Sequence, residues 1–302
     1  MIKDLIEIFS PSGCEERIVK YLISRLSNVC DEIKTDNFGN LIATRQGRGK
    51  SLCFECGLDS RGVMVVAKED KKVYFAAVGD IKPETIVDRE IIFANGNGGM
   101  VKYDGENAKE AKVSDLYIEI DTKGVNVGDF GVIKAEFCED TDLFSAYGLS
   151  DRIGVVAVCR AVSRLDKDCG FTVLFSVQKR LGGRGIRTFF GANTFDAVIT
   201  VDSCKDKCDN GGLLIVKDAK AVAPVALRNK VEAIIEKNNL PITPVVSATN
   251  FFMETIGISG DGNHCIGIGV PVQGEDKEKQ SVKKADFDAV VELLVQTALN
   301  IQ

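Results

Sequence analysis

Residues 171–202 read FTVLFSVQKRLGGRGIRTFFGANTFDAVITVD, and this stretch decides the fold. Phe171 to Val177 is an almost unbroken apolar run of strand length, and Ala197 to Val201 is a second. Runs of that kind suit strands buried on both faces. Between them Ile186 to Phe190 reads as part of a helix, entered through Gly182-Gly183-Arg184-Gly185, a tight turn in which residues lacking a Cβ let the chain reverse. Strand, helix, strand is the grammar of a largely parallel sheet covered by helices.

The same alternation extends outward. Ile153, Val156, Ala157 and Ala161 mark a helix before the stretch, and Val231 to Ile235 continues the pattern after it. A strand-like run, Cys265 to Val270, and an amphipathic last helix through Phe287, Val290, Val291, Leu294, Val295 and Ala298 complete it. At the other end Ile2, Leu5, Ile6 and Phe9 recur at helical spacing until Pro11-Ser12-Gly13 breaks the pattern. Ser12 and Glu15 have the spacing of a capping box for a second helix, whose apolar face is Ile18, Val19, Leu22 and Leu26. Leu52 to Phe54 and Val63 to Val66 read as short buried strands. From Val73 to Phe137 the character changes to short β runs, with Val73 to Ala77, Glu90 to Ala94, Leu116 to Ile120 and Val132 to Phe137 as strands. Asn95 to Gly99 lacks the Lys-Ser/Thr of a phosphate loop and reads as a hairpin. The expected organisation is an α/β domain, residues 1–62 and 147–302, interrupted by an inserted β domain, residues 63–146.

A chain of 302 residues with 45% hydrophobic content supports a sizeable core, and a net charge of -6 disfavours a nucleic-acid or anionic-membrane partner. The N-terminus scatters acids among its apolar residues and no run approaches a membrane span, so the expected compartment is the cytoplasm. Ten cysteines in such a chain read as buried free thiols. Cys53-x-x-Cys56 and Cys204-x-x-x-Cys208 have spacings a zinc site can use, but spacing is their whole claim. A metal-free hydrolase would need His264, the one histidine, as base for Cys56, Cys204 or Ser150.

Four segments carry a family resemblance. Cys56-Gly57-Leu58-Asp59-Ser60-Arg61-Gly62 resembles the segment Ala-His-Met-Asp-Glu-Val-Gly of M42 aminopeptidases, in which the His ligates a metal and the Asp orients it; Gly57 stands at the ligand position. Gly148-Leu149-Ser150-Asp151-Arg152-Ile153-Gly154 is similar to Ala-Leu-Asp-Asp-Arg-x-Gly, whose first Asp bridges two metals; here it is Ser150. Val177-Gln178-Lys179-Arg180-Leu181-Gly182-Gly183-Arg184-Gly185 resembles Val-Gln-Glu-Glu-Val-Gly-x-Arg-Gly, with Lys179 at the general-base position and Arg180 at a ligand position. A fourth ligand position survives as Asp202, and Asp276 aligns with the last, a His in the family. The resemblance extends from Phe9 to the final helix and includes the insert, through Asp115 to Ile120 and Val127-Gly128-Asp129.

The resemblance implies an α/β fold of the phosphorylase/hydrolase-like, zinc-exopeptidase type, a mostly parallel sheet sandwiched by helices with a small inserted all-β barrel. It also implies a site that in active members holds two metals, zinc or cobalt. A two-metal site needs anionic and imidazole ligands and a bridging carboxylate. Gly57 and Ser150 remove two, and Lys179 and Arg180 bring like charge. The degenerate positions are therefore Gly57, Asp59, Ser150, Asp151, Lys179, Arg180, Asp202 and Asp276, with the two cations expected to neutralise the remaining acids. The resemblance implies two functions: a non-catalytic binding or assembly subunit, as a homo-oligomer or with an active paralogue, that can hold a peptide unhydrolysed; or a metal-dependent aminopeptidase with a rearranged site. The metal-free Cys/His hydrolase is a third reading, from the residues alone.

Overall fold

The computed structural model describes every residue except 49, 50, 207–209, 275, 276, 278 and 302. Two short helices, α1 (Ile2–Glu7) and α2 (Glu16–Leu26), precede β1 (Glu32–Thr35), β2 (Leu41–Arg45) and β3 (Leu52–Gly57). The strands β4 (Gly62–Glu69), β5 (Lys72–Val78), β6 (Glu90–Phe93), β7 (Gly98–Tyr103), β8 (Leu116–Glu119) and β9 (Phe130–Ile133) close into a barrel in the order β4-β5-β8-β7-β6-β9. After β10 (Cys138–Glu139) and β11 (Leu143–Ala146) come α3 (Ile153–Val162), β12 (Phe171–Ser176), α4 (Arg184–Phe190), β13 (Ala197–Cys204), β14 (Gly212–Lys217), α5 (Val225–Lys237), β15 (Ile242–Val246), α6 (Met253–Gly257), β16 (Cys265–Pro271), β17 (Gln280–Lys283) and α7 (Lys284–Asn300).

The eight-stranded sheet runs β1-β2-β12-β3-β13-β16-β14-β15. Its centre, β12, β3, β13 and β16, is parallel, and antiparallel pairs at β2 and β14 join the flanks. Central strands read as continuous apolar runs because both faces are covered: Val173, Leu174 and Phe175 are buried in succession, as are Val198 and Ile199. α3 and α5 each pack on α7, and all three helices contact β16; α4 and α6 pack together, with α6 against β16. Gly154 permits close docking of α3, since a Cβ there would lie 2.7 Å from the Val201 carbonyl oxygen.

The barrel has its own apolar core, including Val63, Val65, Val73, Phe75, Ile91, Phe93 and Ile118. Its shorter strands alternate buried and less buried residues, as in β6 and β9, because only the inner face is packed. β10 and β11 lie outside the barrel ladder: β11 pairs with β17, tying the returning chain to the C-terminal region. Asn95 to Gly99 is the β6–β7 hairpin, closed by the Gly96 N–H on the Phe93 carbonyl. The capping box expected of Ser12 and Glu15 is absent. The Glu15 carboxylate accepts from the Gly13 and Gln178 N–H groups, and the Ser12 hydroxyl donates to Asp59, because both side chains are drawn into the sheet's carboxyl edge.

Candidate functional site

The site lies where β12, β3 and β13 end. Register sets Ser176 beside Gly57 and Thr200 beside Glu55, so the loops leaving these strands meet over one floor. The carboxyl end of a parallel sheet is where such folds bind ligands. A cavity of about 580 Å³ opens there, lined by Gly57, Asp59, Asp151, Lys179, Arg180 and Asp202 among others.

Lys179 is the centre of the floor. It is 4% exposed, and its Nζ lies 3.0 Å from Glu55 and 3.1 Å from Asp202. Glu55, wholly buried in β3, also accepts from the Ser176 hydroxyl at 2.7 Å and the Thr200 hydroxyl at 2.7 Å. Burial opposes the charge on Lys179, but Asp202 and Glu55 outweigh it and hold the ammonium pKa above its ordinary value. Its stem occupies the space above Gly57: a Cβ at position 57 would lie 2.6 Å from the Lys179 Cδ. A side chain at 57 and this lysine conformation exclude one another.

Arg180 forms an ion pair with Asp151, whose carboxylate also lies 3.5 Å from Arg61 Nη1 and accepts the Arg61 N–H at 2.9 Å. Burial alone would raise the Asp151 pKa; Arg180 and Arg61 outweigh it and lower it. Asp59 sits differently. It accepts the backbone N–H groups of Lys179 at 3.0 Å and Arg180 at 2.8 Å, together with the Ser12 hydroxyl, so it positions the loop that carries the two cations. Ser150 donates its N–H to Gln280 at 2.8 Å and its hydroxyl to Asp151 at 3.4 Å. Arg152 points away from the cavity: it bridges the Leu5 and Leu58 carbonyls and the Ser10 hydroxyl, and burial lowers its pKa to about 10. Asp276 and Cys208 lie outside the described residues.

Asp59, Asp151, Asp202 and Glu55 are the carboxylates a metal could use, and each already accepts from protein cations, hydroxyls or N–H groups. Among the described residues no three His, Cys, Asp or Glu side chains converge as a ligand set. A Cys/His pair is not assembled either. His264 is exposed just before β16, five residues from Gly269, which is level with Asp202; at about 3.3 Å per residue that is roughly 16 Å from the floor. Burial pushes the Cys204 thiol up to about 11 and the Cys56 thiol well above its ordinary range, so neither supplies a thiolate near neutral pH. Sequence reasoning missed Glu55, Arg61 and Ser12. A glutamate within an apolar strand run was the available signal, since a buried carboxylate demands a partner.

The sequence profile of the M42 glutamyl aminopeptidase family matches residues 39–293. A provisionally named aminopeptidase of Acetivibrio thermocellus is 28% identical over 98% of this chain and 97% of its own length. The lysyl aminopeptidase of Pyrococcus furiosus is 23% identical over 97% and 94%. Among solved structures, the Pyrococcus horikoshii TET1 peptidase, described as assembling into a tetrahedron or a large octahedral shell, has a TM-score of 0.88 at 24% identity, covering 98% of both chains. The aminopeptidase APDkam598 of Desulfurococcus kamchatkensis has a TM-score of 0.90 at 20% identity, covering 100% of this chain and 94% of its own. No described helix is long and apolar enough to cross a membrane.

Proposed function

Because the chain belongs to the M42 glutamyl aminopeptidase family, we propose that it is a homologue that has lost the binuclear metal site and peptidase activity and acts in the cytoplasm as a binding or assembly subunit. One observation carries this reading: the Lys179 side chain fills the volume above Gly57 and puts its ammonium between Glu55 and Asp202. These residues do not fit a pair of divalent cations. Position 57 offers no donor, Ser150 is a neutral one, and two fixed positive charges stand where metals would have to be. Arg180 cannot shed its proton to become a ligand.

The test is metal content after mild purification, followed by a panel of aminoacyl anilides with added zinc, cobalt or manganese. The expected result is no stoichiometric metal and no turnover. Two metals per chain, or metal-dependent turnover abolished by Asp202→Asn, would overturn the reading and favour a rearranged aminopeptidase.

The assembly half of the proposal places self-association, or association with an active paralogue, in the insert, residues 63–146. Its support is that the barrel keeps a closed, independently packed core while the catalytic segments have changed, and that the similar TET1 peptidase is described as forming large shells. Light scattering is expected to show an oligomer. A monomer at all concentrations that also captures no paralogue would count against it.

A further inference from the structure

Two consecutive phenylalanines on the loop before α6 are placed differently. Phe251 is wholly buried in the core of the α/β domain. Phe252 is half-buried and lines the cavity. It adopts a φ of +60°, a left-handed conformation that a residue with a Cβ takes only at a cost. The surrounding bonds enforce it. The N–H groups on either side, those of Phe251 and Met253, converge on one oxygen of Asp218 at 3.1 Å each, while the Asn250 side chain accepts the N–H of Phe252 itself at 2.9 Å. Asp218 is wholly buried, and its other oxygen accepts the N–H groups of Lys220 and Ala221. On the floor side, the Thr200 hydroxyl that donates to Glu55 lies 3.0 Å from the Phe251 carbonyl. The ring is held as closely as the backbone: a Cβ at Gly183 would lie 2.6 Å from the Phe252 Cδ1, and Lys179 Nζ is 5.8 Å from the ring centroid.

We infer that Phe252 is the specificity-determining wall of the cleft and that the ligand presents an aromatic ring to it, as the side chain of an aromatic residue in a short peptide would. The inference rests on the reading of the floor as metal-free and adds the ligand's chemistry to it. Over-determined backbone strain clusters at ligand sites, and core filling does not account for it here, because Phe251 supplies that one residue earlier. An aromatic group gains offset or edge contacts with the Phe252 ring beyond those its area alone provides. The cavity of about 580 Å³ suits a ligand of that size. A free amino group is not what the cleft recognises. Among the described acids lining it, Asp59, Asp151 and Asp202 are engaged by protein groups, and Asp80 is exposed on the rim, where an ion pair is worth little.

The experiment is calorimetric titration of the full chain with N-acetyl-phenylalaninamide, N-acetyl-leucinamide and phenylalaninamide, after metal has been assayed on the same preparation. The acetylated phenylalanine probe is expected to saturate and to bind roughly three- to tenfold more tightly than the leucine probe. Phenylalaninamide, which carries the free amine, is expected to match its acetylated counterpart within about twofold. Phe252→Tyr should keep the preference for the aromatic probe. Phe252→Gly, which suits the left-handed backbone, should abolish it while the variant still unfolds cooperatively; if that variant does not fold, Phe252→Leu makes the same test. No saturation by the aromatic probe, equal binding of the phenylalanine and leucine probes, a preference that survives loss of the ring, or binding that requires the free amine would each overturn the inference. Any of these results from a metal-free preparation leaves the loss of the metal site standing. A metal-loaded, active preparation would defeat the underlying reading and the inference with it.

Discussion

The floor and the rim of the cleft use the same side chains for opposite ends. On the floor, Lys179 and Arg180 are held against acids that are themselves buried. On the rim, Arg187, Lys205 and Lys277 stand in solvent. Burial decides the difference: an unpaired charge costs much in the interior and little in water. Floor cations should therefore be needed for folding, and the exposed cations of the rim should not.

The sharpest way to break this division is Lys179→Met, which keeps much of the stem's volume and removes the ammonium. Glu55 and Asp202 would lose their shared cation, and removing one side of a buried pair typically costs about 3–5 kcal/mol. A fall of that size in unfolding free energy by denaturant titration is expected, with part recovered when Glu55→Gln is added and the stranded charge disappears. An unchanged midpoint would place Lys179 with the rim cations, contrary to its burial. Arg180→Ala should cost less, about 2 kcal/mol, because Asp151 keeps Arg61 and an N–H donor. If the loss equals that of Lys179→Met, Arg61 is not sharing the load.

Gly57→Ala probes the same contact from the other side. The added methyl would meet the Lys179 Cδ at 2.6 Å, so the lysine must shift from its acids or the strand must move. Overpacking of this kind costs about 1–3 kcal/mol, and a flexible stem puts the expectation near 1. In a double-mutant cycle the cost should shrink when Lys179 is already truncated to Ala. Additive effects would show that the alanine is accommodated elsewhere.

The fold was legible because burial on both faces writes continuous apolar runs such as Phe171 to Val177, and the barrel's short strands were legible from their turns. The pairing of β11 with β17 was not, since nothing local in Leu143 to Ala146 names a partner more than 130 residues away. In the site, the residues at 57, 150, 179 and 180 stood out against the resemblance. Their geometry depended on Glu55, which no motif marks, and on Asp59 binding backbone N–H groups instead of a cationic side chain. Ser12 misled because a capping-box spacing says where its hydroxyl oxygen can accept an N–H, not that the hydroxyl is instead drawn off to donate to Asp59. The rim was invisible for a different reason. Arg187, Lys205 and Lys277 come from three separated segments, so no sequence cluster reveals them.

The last expected effect lies behind the floor, at Glu15, and it is read by pH. This carboxyl is buried beside α2, accepts from the Gly13 and Gln178 N–H groups at 2.9 Å each, and so touches the residue preceding Lys179. Burial raises its pKa to about 7, against the opposing pull of those two N–H donors. The folded protein therefore keeps a proton that the unfolded chain has released from an ordinary carboxyl near 4.5. The protonated form's stabilisation is complete below that lower value and lost as pH rises to about 7. Glu15→Gln keeps an acceptor for the two N–H groups and removes the titration. The variant should gain stability relative to wild type across this window, levelling off above neutrality at a gain of about 3 kcal/mol, since one pKa unit is worth about 1.4 kcal/mol. Denaturation midpoints from pH values below to above the window measure it directly. A constant gap between the two proteins would mean that Glu15 titrates like a surface carboxylate, and that the interior character assigned to the floor stops short of the loop that supports it.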